Sequence, residues 1–240
     1  MGTSAVSQGK HQERTGQGIR LFFPAIALFV VIAVVGGFAR TYFLAGMFWA
    51  KLPSLIVHIH GALFTLWIGL LVAQVALIAG HRPRWHMRLG IAGMFLAPLM
   101  LVIGFATLIA AIKRGFAPPP VVRYIASVDT LLLCLFAFFV VWAFLARRDA
   151  PTHKRLILFA TFIIIGPAIA RWPIAANPIA FHIFLNSFPA LLVTYDLWTR
   201  RSLHRATAWG LGLMIALELA VFPLAQSSAV NVAVAWLQRK

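Results

Sequence analysis

The sequence predicts an all-α membrane protein with seven transmembrane helices. Of its 240 residues, 62% are hydrophobic and only 11% are charged, whereas soluble domains contain about 25% charged residues. The apolar residues fall into seven segments, each close to the roughly 17–25 residues that a helix needs to cross a bilayer. These segments cover residues 21–40, 53–79, 87–113, 124–146, 155–172, 178–198 and 205–224. Little of the chain is left for a soluble domain.

The basic residues predict the orientation of these spans. The net charge is +16, and 13 of the 21 lysines and arginines lie in the N-terminal segment or beside the loops that follow the even-numbered spans. Since short basic loops stay in the cytoplasm, we predict a cytoplasmic N-terminus and an extracytoplasmic C-terminus. The positive charge then serves to orient the protein in the lipid bilayer, which is the predicted partner. We predict no binding to nucleic acid.

The two ends of the chain are predicted to lie outside the membrane. Residues 1–20 are polar and glycine-rich, which predicts a disordered cytoplasmic segment. Residues 21–224 then form the seven-helix transmembrane domain, and residues 225–240 form a short extracytoplasmic tail.

Three spans begin with similar short sequence motifs, which predicts a repeated helical hairpin. The motifs are HMRLGIAGM at His86, HKRLILFAT at His153 and HRATAWGLG at His204. The predicted architecture is span 1 followed by three hairpins, made of spans 2–3, 4–5 and 6–7. We expect the three histidines to lie at the headgroup level and to contact lipid phosphate, and the alternative is a cofactor or lipid pocket on the inner side.

Polar side chains are concentrated in the outer third of the predicted bundle. Burying such groups in hydrocarbon is costly, so we expect them to face the protein and to find partners there. At 100° per residue, the two histidines of span 2 point to different sides of their helix. They are therefore not expected to bind one ion together. The set comprises Arg40, His58, His60, Asp129, Arg171, His182 and Glu218.

The first functional hypothesis is a b-type haem at this outer site, with a role in electron transfer. Haem needs an imidazole from each of two facing helices, and His58 or His60 with His182 supplies such a pair. Arg40, Arg171 and Lys51 are placed to neutralise the propionates. A quinol or another donor is the expected source of electrons, so a quinone or a membrane redox partner is the expected partner.

Two other hypotheses remain open from the sequence. One is a zinc or other transition-metal site of a seven-helix membrane hydrolase, held by His58, His60 and His182 with Asp129 or Glu218. The other needs no cofactor and is a small-molecule or proton-coupled transporter or sensor. In it, Arg40 and Arg171 pair with the two acids and the histidines relay protons.

Four stretches resemble a set of uncharacterised bacterial multi-pass membrane proteins. They are VHIHGALFTLW, RWHMRLG, HKRLILFATFIIIGPAIARWP and VTYDLWTRRSLHRATAWG, and they share helix starts of the form H-(K/R)-R-L. The resemblance covers most of residues 53–210. It implies a multi-pass protein of the bacterial inner membrane and carries no established activity.

Overall fold

The computed structural model describes residues 21–44, 47 and 54–239, and every regular element in this part of the chain is helical. Six of the helices are long and apolar enough to cross a membrane, so the prediction of an all-α membrane protein is confirmed at that level. The predicted disordered segment 1–20 and the predicted propionate partner Lys51 lie outside the described residues. The helices are α1 (Leu21–Phe43), α2 (Leu55–Ala79), α3 (Pro83–Arg114), α4 (Pro119–Leu145), α5 (Ala150–Ile164), α6 (Pro178–Arg200), α7 (Arg205–Gln226) and α8 (Ser228–Gln238).

The fifth predicted span differs from the structure, which breaks it. In place of one helix over 155–172, α5 ends at Ile164 and is followed by a separate turn, Gly166–Ile169. Pro167 has no N–H to continue the α5 ladder, which accounts for the break. A short 3-10 helix, Pro173–Ala176, then leads into α6. By itself α5 is too short to count as a membrane span, so residues 21–44, 47 and 54–239 contain six such helices where seven were predicted.

Side-chain caps and prolines define several helix starts. Asn177 caps α6 by accepting hydrogen bonds from the amides of Ile179 and Ala180 at 2.9 and 3.2 Å, as expected of a residue at this position. Asp149 caps α5, and the hydroxyl of Thr152 donates to its carboxylate at 2.5 Å. This hydrogen bond lowers the pKa of Asp149 below its usual value, so the cap stays charged at neutral pH.

The helices pack around a core that is rich in phenylalanine. The hairpins α2–α3 and α4–α5 are in extensive contact, as predicted. The third hairpin is looser, since α7 packs mainly on α4 and α5 and less on α6. The predicted tail forms α8, which packs on α3 and α4. The largest fully buried side chains are Phe136, Phe139, Phe159, Phe162 and Phe188.

One end of the bundle holds three short basic loops, and we call it the basic end. The loops are residues 80–82, 146–149 and 201–204. Ring contact between His86 and His153 joins the starts of the helices that follow the first two loops. Hydrogen bonds to Asp196 join the start of α5 to the third loop. We call the other end, where α2, α4 and α6 begin, the opposite end.

An ion pair between Arg155 and Asp196 fastens three helices together at the basic end. Arg155 of α5 is 2% exposed and Asp196 of α6 is fully buried. Nε of Arg155 donates to Oδ1 of Asp196 at 3.1 Å, and Nη2 donates to the same oxygen. Thr207 of α7 donates to Oδ2 at 2.5 Å, and the amide of His204 donates to it at 3.0 Å. Both carboxylate oxygens are therefore hydrogen-bonded, as a buried charge requires.

Aromatic contacts tie α1 to the same point. Phe22 stacks on Tyr195 with the ring centroids 4.1 Å apart. The ammonium group of Lys154 lies 4.2 Å from the centroid of Phe23, which is a favourable cation–π geometry. The N-terminal turn of α1 therefore packs directly beside the ion pair.

His204 caps α7 in its neutral form. Its Nδ1 accepts a hydrogen bond from the amide of Ala206 at 3.1 Å. Burial, followed by the nearby charges of Arg155 and Arg200, lowers the pKa of His204, while Asp196 and Asp149 act in the other direction. The ring nitrogen is thus left unprotonated at neutral pH and free to accept the bond.

We predict that Asp196→Asn strongly destabilises the protein. The substitution removes the charge that neutralises Arg155, and leaving one member of a buried ion pair unmatched costs about 3–5 kcal/mol. The free energy of unfolding, measured by denaturant titration in mixed detergent micelles, should fall by that amount.

Asp149→Asn is the matched control for this measurement. It makes the same chemical change at an exposed helix cap, where asparagine serves as well as aspartate, and it should change stability by less than about 1 kcal/mol. Equal effects of the two substitutions would contradict a stabilising role for the ion pair.

Candidate functional site

Three ionisable side chains from three parts of the chain interact toward the opposite end. Asp129 lies on α4, His60 on α2, and Arg171 follows the turn after α5. Arg171 interacts electrostatically with both Asp129 and His60. We call these three residues the Asp129 cluster. All three belong to the set that the sequence predicted for the outer site.

The break after α5 positions Arg171. Its Nη1 donates to the carbonyl oxygen of Pro167 at 2.5 Å, and its guanidinium carbon lies 4.6 Å from the ring centroid of Phe38. The carbonyl is free to accept because the helix is interrupted there. These two contacts hold the guanidinium against the protein, and the residue as a whole is exposed at the bundle surface.

Close packing between α1 and the broken segment fixes the backbone beneath Arg171. A Cβ atom at Gly37 would lie 2.1 Å from the carbonyl oxygen of Ala168, so only glycine permits this approach. Nε1 of Trp172 also donates to the carbonyl oxygen of Ala33 at 2.9 Å. The residues on both sides of Arg171 are therefore anchored to α1.

His60 contributes an imidazole nitrogen that makes no hydrogen bond within the described structure. Its ring stacks on Phe64, one turn further along α2, with the centroids 4.1 Å apart. Its Nδ1 is buried and has no hydrogen-bond partner among the residues described. Leaving such an atom unsatisfied costs about 1–3 kcal/mol. Trp67, two turns along α2, donates to Thr161 of α5 at 3.2 Å and keeps the two helices together.

His58 has a different environment from His60. Its Nδ1 lies 3.0 Å from the hydroxyl oxygen of Tyr42 at the end of α1. This agrees with the helical angles, which predict that the two histidines face different sides of α2. Tyr42 was not anticipated as a partner.

Two of the remaining predicted site residues, His182 and Glu218, are not joined to this cluster by any contact seen in the described part of the chain. His182 is exposed on α6, and its carbonyl oxygen accepts from the amide of Asn186 at 3.0 Å. Asn186 also donates to Glu218 of α7 at 3.5 Å. Arg40 is exposed at the end of α1. His182, Asn186 and Glu218 therefore form a second polar group between α6 and α7.

The described residues contain no metal centre of the predicted kind. Within residues 21–44, 47 and 54–239, no three side chains of His, Cys, Asp or Glu are grouped closely enough to hold one ion. Helix α1 contacts α2 through Tyr42 and α6 through Phe29, which stacks on Phe188 at 4.4 Å. It thus packs on both helices that were predicted to supply haem ligands.

The charges of the Asp129 cluster are near each other without being paired. In the described part of the chain the only ion pair is that of Arg155 with Asp196, so Arg171 and Asp129 interact across a gap. No hydrogen bond to the carboxylate of Asp129 is present among the residues described. A carboxylate, a guanidinium and an imidazole around such a gap can bind a small polar solute or exchange a proton with it.

The sequence reasoning missed the ion pair at the basic end and the meeting of His86 with His153. Asp196 lies inside the predicted span 178–198, and the sequence patterns gave it no partner. Its rarity was a usable signal, because an acid inside an apolar span requires a cation at the same depth. Arg155 was read as one of many loop cations, so the pair was not recognised.

Comparisons of the chain with protein-family models, with curated proteins and with solved structures find no match.

Proposed function

We propose that the chain crosses the bacterial inner membrane seven times, with the basic end in the cytoplasm. Together α5 and the turn after it extend from Ala150 to Ile169. At 1.5 Å per residue these reach about 30 Å, the thickness of the hydrocarbon core. Broken helices of this kind occur in membrane proteins where the irregular backbone is covered by other helices. The arginines of the three loops favour the cytoplasmic side for the basic end.

Cysteine labelling tests the number of crossings and the orientation. In a Cys134→Ala background, Arg148→Cys and Ser202→Cys should react with a membrane-impermeant maleimide only after the cells are permeabilised. Arg239→Cys should react in intact cells. If α5 does not cross the membrane, Arg148→Cys and Ser202→Cys will be labelled from opposite sides, which would contradict the proposal.

We further propose that the Asp129 cluster binds a small polar solute within the membrane, for transport or for sensing. The observation that carries this proposal is that Asp129 and Arg171 interact without a direct hydrogen bond or ion pair, while His60, which also interacts with Arg171, keeps a buried nitrogen without a partner among the described residues. A structural pair would be expected to close into direct hydrogen bonds, as Arg155 and Asp196 do. A solute with an anionic group and a hydrogen-bond donor would satisfy Arg171 and Asp129 together.

The broken fifth helix supports the same function. Interrupted helices near substrate sites are a recurring feature of membrane transporters. Here the interruption supplies the cation of the cluster, because Arg171 follows the turn that replaces the end of α5.

A thermal-shift screen tests the proposed binding. Amino acids and hydroxycarboxylic acids carry the required pair of groups, and at about 100 times its Kd a bound solute adds about 2.7 kcal/mol of stability. For a chain of this size that corresponds to a rise of about 5–10 °C in Tm. We expect the shift with the best solute to be lost in Asp129→Asn and in Arg171→Gln.

Glu218→Gln is the matched control. It neutralises an exposed acid on α7 that bonds only with the second polar group, so the solute shift should remain as in the parent protein. A shift that survives in Asp129→Asn, or a panel in which no solute stabilises the protein, would overturn the proposal.

A b-type haem with an electron-transfer role is the second candidate. It is supported by the buried Nδ1 of His60, which has no hydrogen-bond partner among the described residues, and by the hydroxyl of Tyr42 beside His58. A haem-ligating imidazole is commonly oriented through its other nitrogen. Protein purified from haem-supplied cells should then show a Soret band that sharpens on reduction by dithionite and disappears in His182→Ala. A colourless preparation would contradict this candidate.

A further inference from the structure

A third group of polar side chains lies inside the bundle near the basic end, far along the helices from the Asp129 cluster. It is separate from the group formed by His182, Asn186 and Glu218. His86 is in the first turn of α3 and His153 in the first turn of α5. Their ring centroids are 6.3 Å apart and the rings are nearly perpendicular, at 88°. The repeated helix start that was predicted to reach lipid phosphate thus brings two of its three histidines together.

The tautomer of His153 follows from its hydrogen bond. Its Nδ1 lies 2.8 Å from the carbonyl oxygen of Ala143 on α4. A carbonyl can only accept, so Nδ1 carries the hydrogen and Nε2 carries a lone pair. Histidines that bind metals are typically held this way, with the second ring nitrogen donating to a main-chain carbonyl.

His86 offers a second nitrogen in a buried position. Its Nδ1 is buried and has no hydrogen-bond partner in the described residues. The main chain of Gln74 on α2 interacts with the same ring. His86 is therefore held by a neighbouring helix, while one of its nitrogens stays available for a ligand.

Gln74 adds an oxygen next to these rings. Its Oε1 is also buried without a partner in the part of the chain that is described. Its amide nitrogen lies 3.4 Å from the point where a Cβ of Gly90 would be, and Gly90 is one turn beyond His86 on α3. The glycine leaves room for this amide against α3, one turn along the helix from His86.

We propose that His86, His153 and Gln74 bind one divalent transition-metal ion. With metal–nitrogen bonds of about 2.0–2.1 Å, two imidazoles on one ion have ring centroids about 5 Å apart in a tetrahedral site and about 6.5 Å apart when they lie across the ion from each other. The observed 6.3 Å therefore fits two imidazoles on nearly opposite sides of the ion. A set of two imidazoles and an amide oxygen suits Zn²⁺, Ni²⁺ or Cu²⁺. It lacks the carboxylates that Ca²⁺ requires. The ion satisfies the two buried atoms that have no partner within the described chain.

The site is distinct from the one proposed for solute binding. It joins α2, α3 and α5 near the basic end, whereas the Asp129 cluster lies toward the opposite end. Both hairpins that pack most closely, α2–α3 and α4–α5, contribute to it. An ion there would cross-link the two hairpins at their basic loops.

Zinc binding by the full-length protein tests the proposal. The chain should be purified in detergent with a tag that contains no histidine, stripped with chelator, and titrated with Zn²⁺ by equilibrium dialysis. We expect one equivalent to bind, and we expect His86→Ala and His153→Ala each to weaken binding at least about tenfold. The carboxylate introduced by Gln74→Glu should tighten binding, and unchanged affinity there would exclude Gln74 as a ligand.

His204→Asn and His58→Ala are the controls. His204 belongs to the third copy of the same helix start but caps α7, so its replacement by another capping residue should leave zinc binding unchanged. With Cu²⁺, the electron paramagnetic resonance spectrum of the parent protein should show two coupled imidazole nitrogens, and that of His86→Ala only one. An unchanged thermal midpoint of the metal-free His86→Ala variant establishes that a loss of binding is not a loss of fold.

Absence of bound zinc in the parent protein would overturn the proposal, as would full affinity in both His86→Ala and His153→Ala. Zinc lost only in His58→Ala would place the ion at the opposite end and overturn the assignment to His86 and His153. The solute screen is unaffected by any of these results, because it reads out Asp129 and Arg171.

Discussion

The hydrogen bonds between Arg155 and Asp196 hold the basic end of the bundle together. A charge in hydrocarbon is tolerated when an opposite charge and further donors surround it, and Asp196 receives bonds from α5, from α7 and from the loop between α6 and α7. The pair also places Tyr195 where Phe22 stacks on it. One buried carboxylate therefore joins α5, α6 and α7, and α1 packs on the neighbouring Tyr195.

The two ends of the bundle use their charges in different ways. At the basic end the carboxylate is enclosed and all of its strong acceptors are occupied, which leaves nothing for a ligand. Toward the opposite end, Asp129 and Arg171 interact without closing, and His60 keeps a nitrogen with no partner among the described residues. Since incomplete pairing costs stability, it persists in a structure that gains something from it. The asymmetry favours a structural role for the first group and a binding role for the second.

The sequence predicts the class of fold well because hydrophobicity and helix length act within one segment at a time. The same local signals placed His58 and His60 on different faces of α2. They could not place the break in α5, because a proline such as Pro167 also occurs within continuous, kinked helices. Pro189 lies within α6 in this way. Nor could they pair Arg155 with Asp196 or His86 with His153, since each pair joins segments whose packing order is a tertiary property. The sequence therefore predicted which residues belong to the candidate site, but it did not predict that they form separate groups.

Helix α5 connects these features, because it carries Arg155 near its start and leads into Arg171 after its break. A continuous helix over both residues would use the carbonyl of Pro167 within its own ladder, and that oxygen would no longer hold the guanidinium of Arg171. The structure tolerates the break because the other end of α5 is held by the buried ion pair and by its extensive packing on α4. The stable basic end thus allows the irregular backbone that brings a cation to Asp129, so the rigidity of one end is a condition for the chemistry proposed at the other.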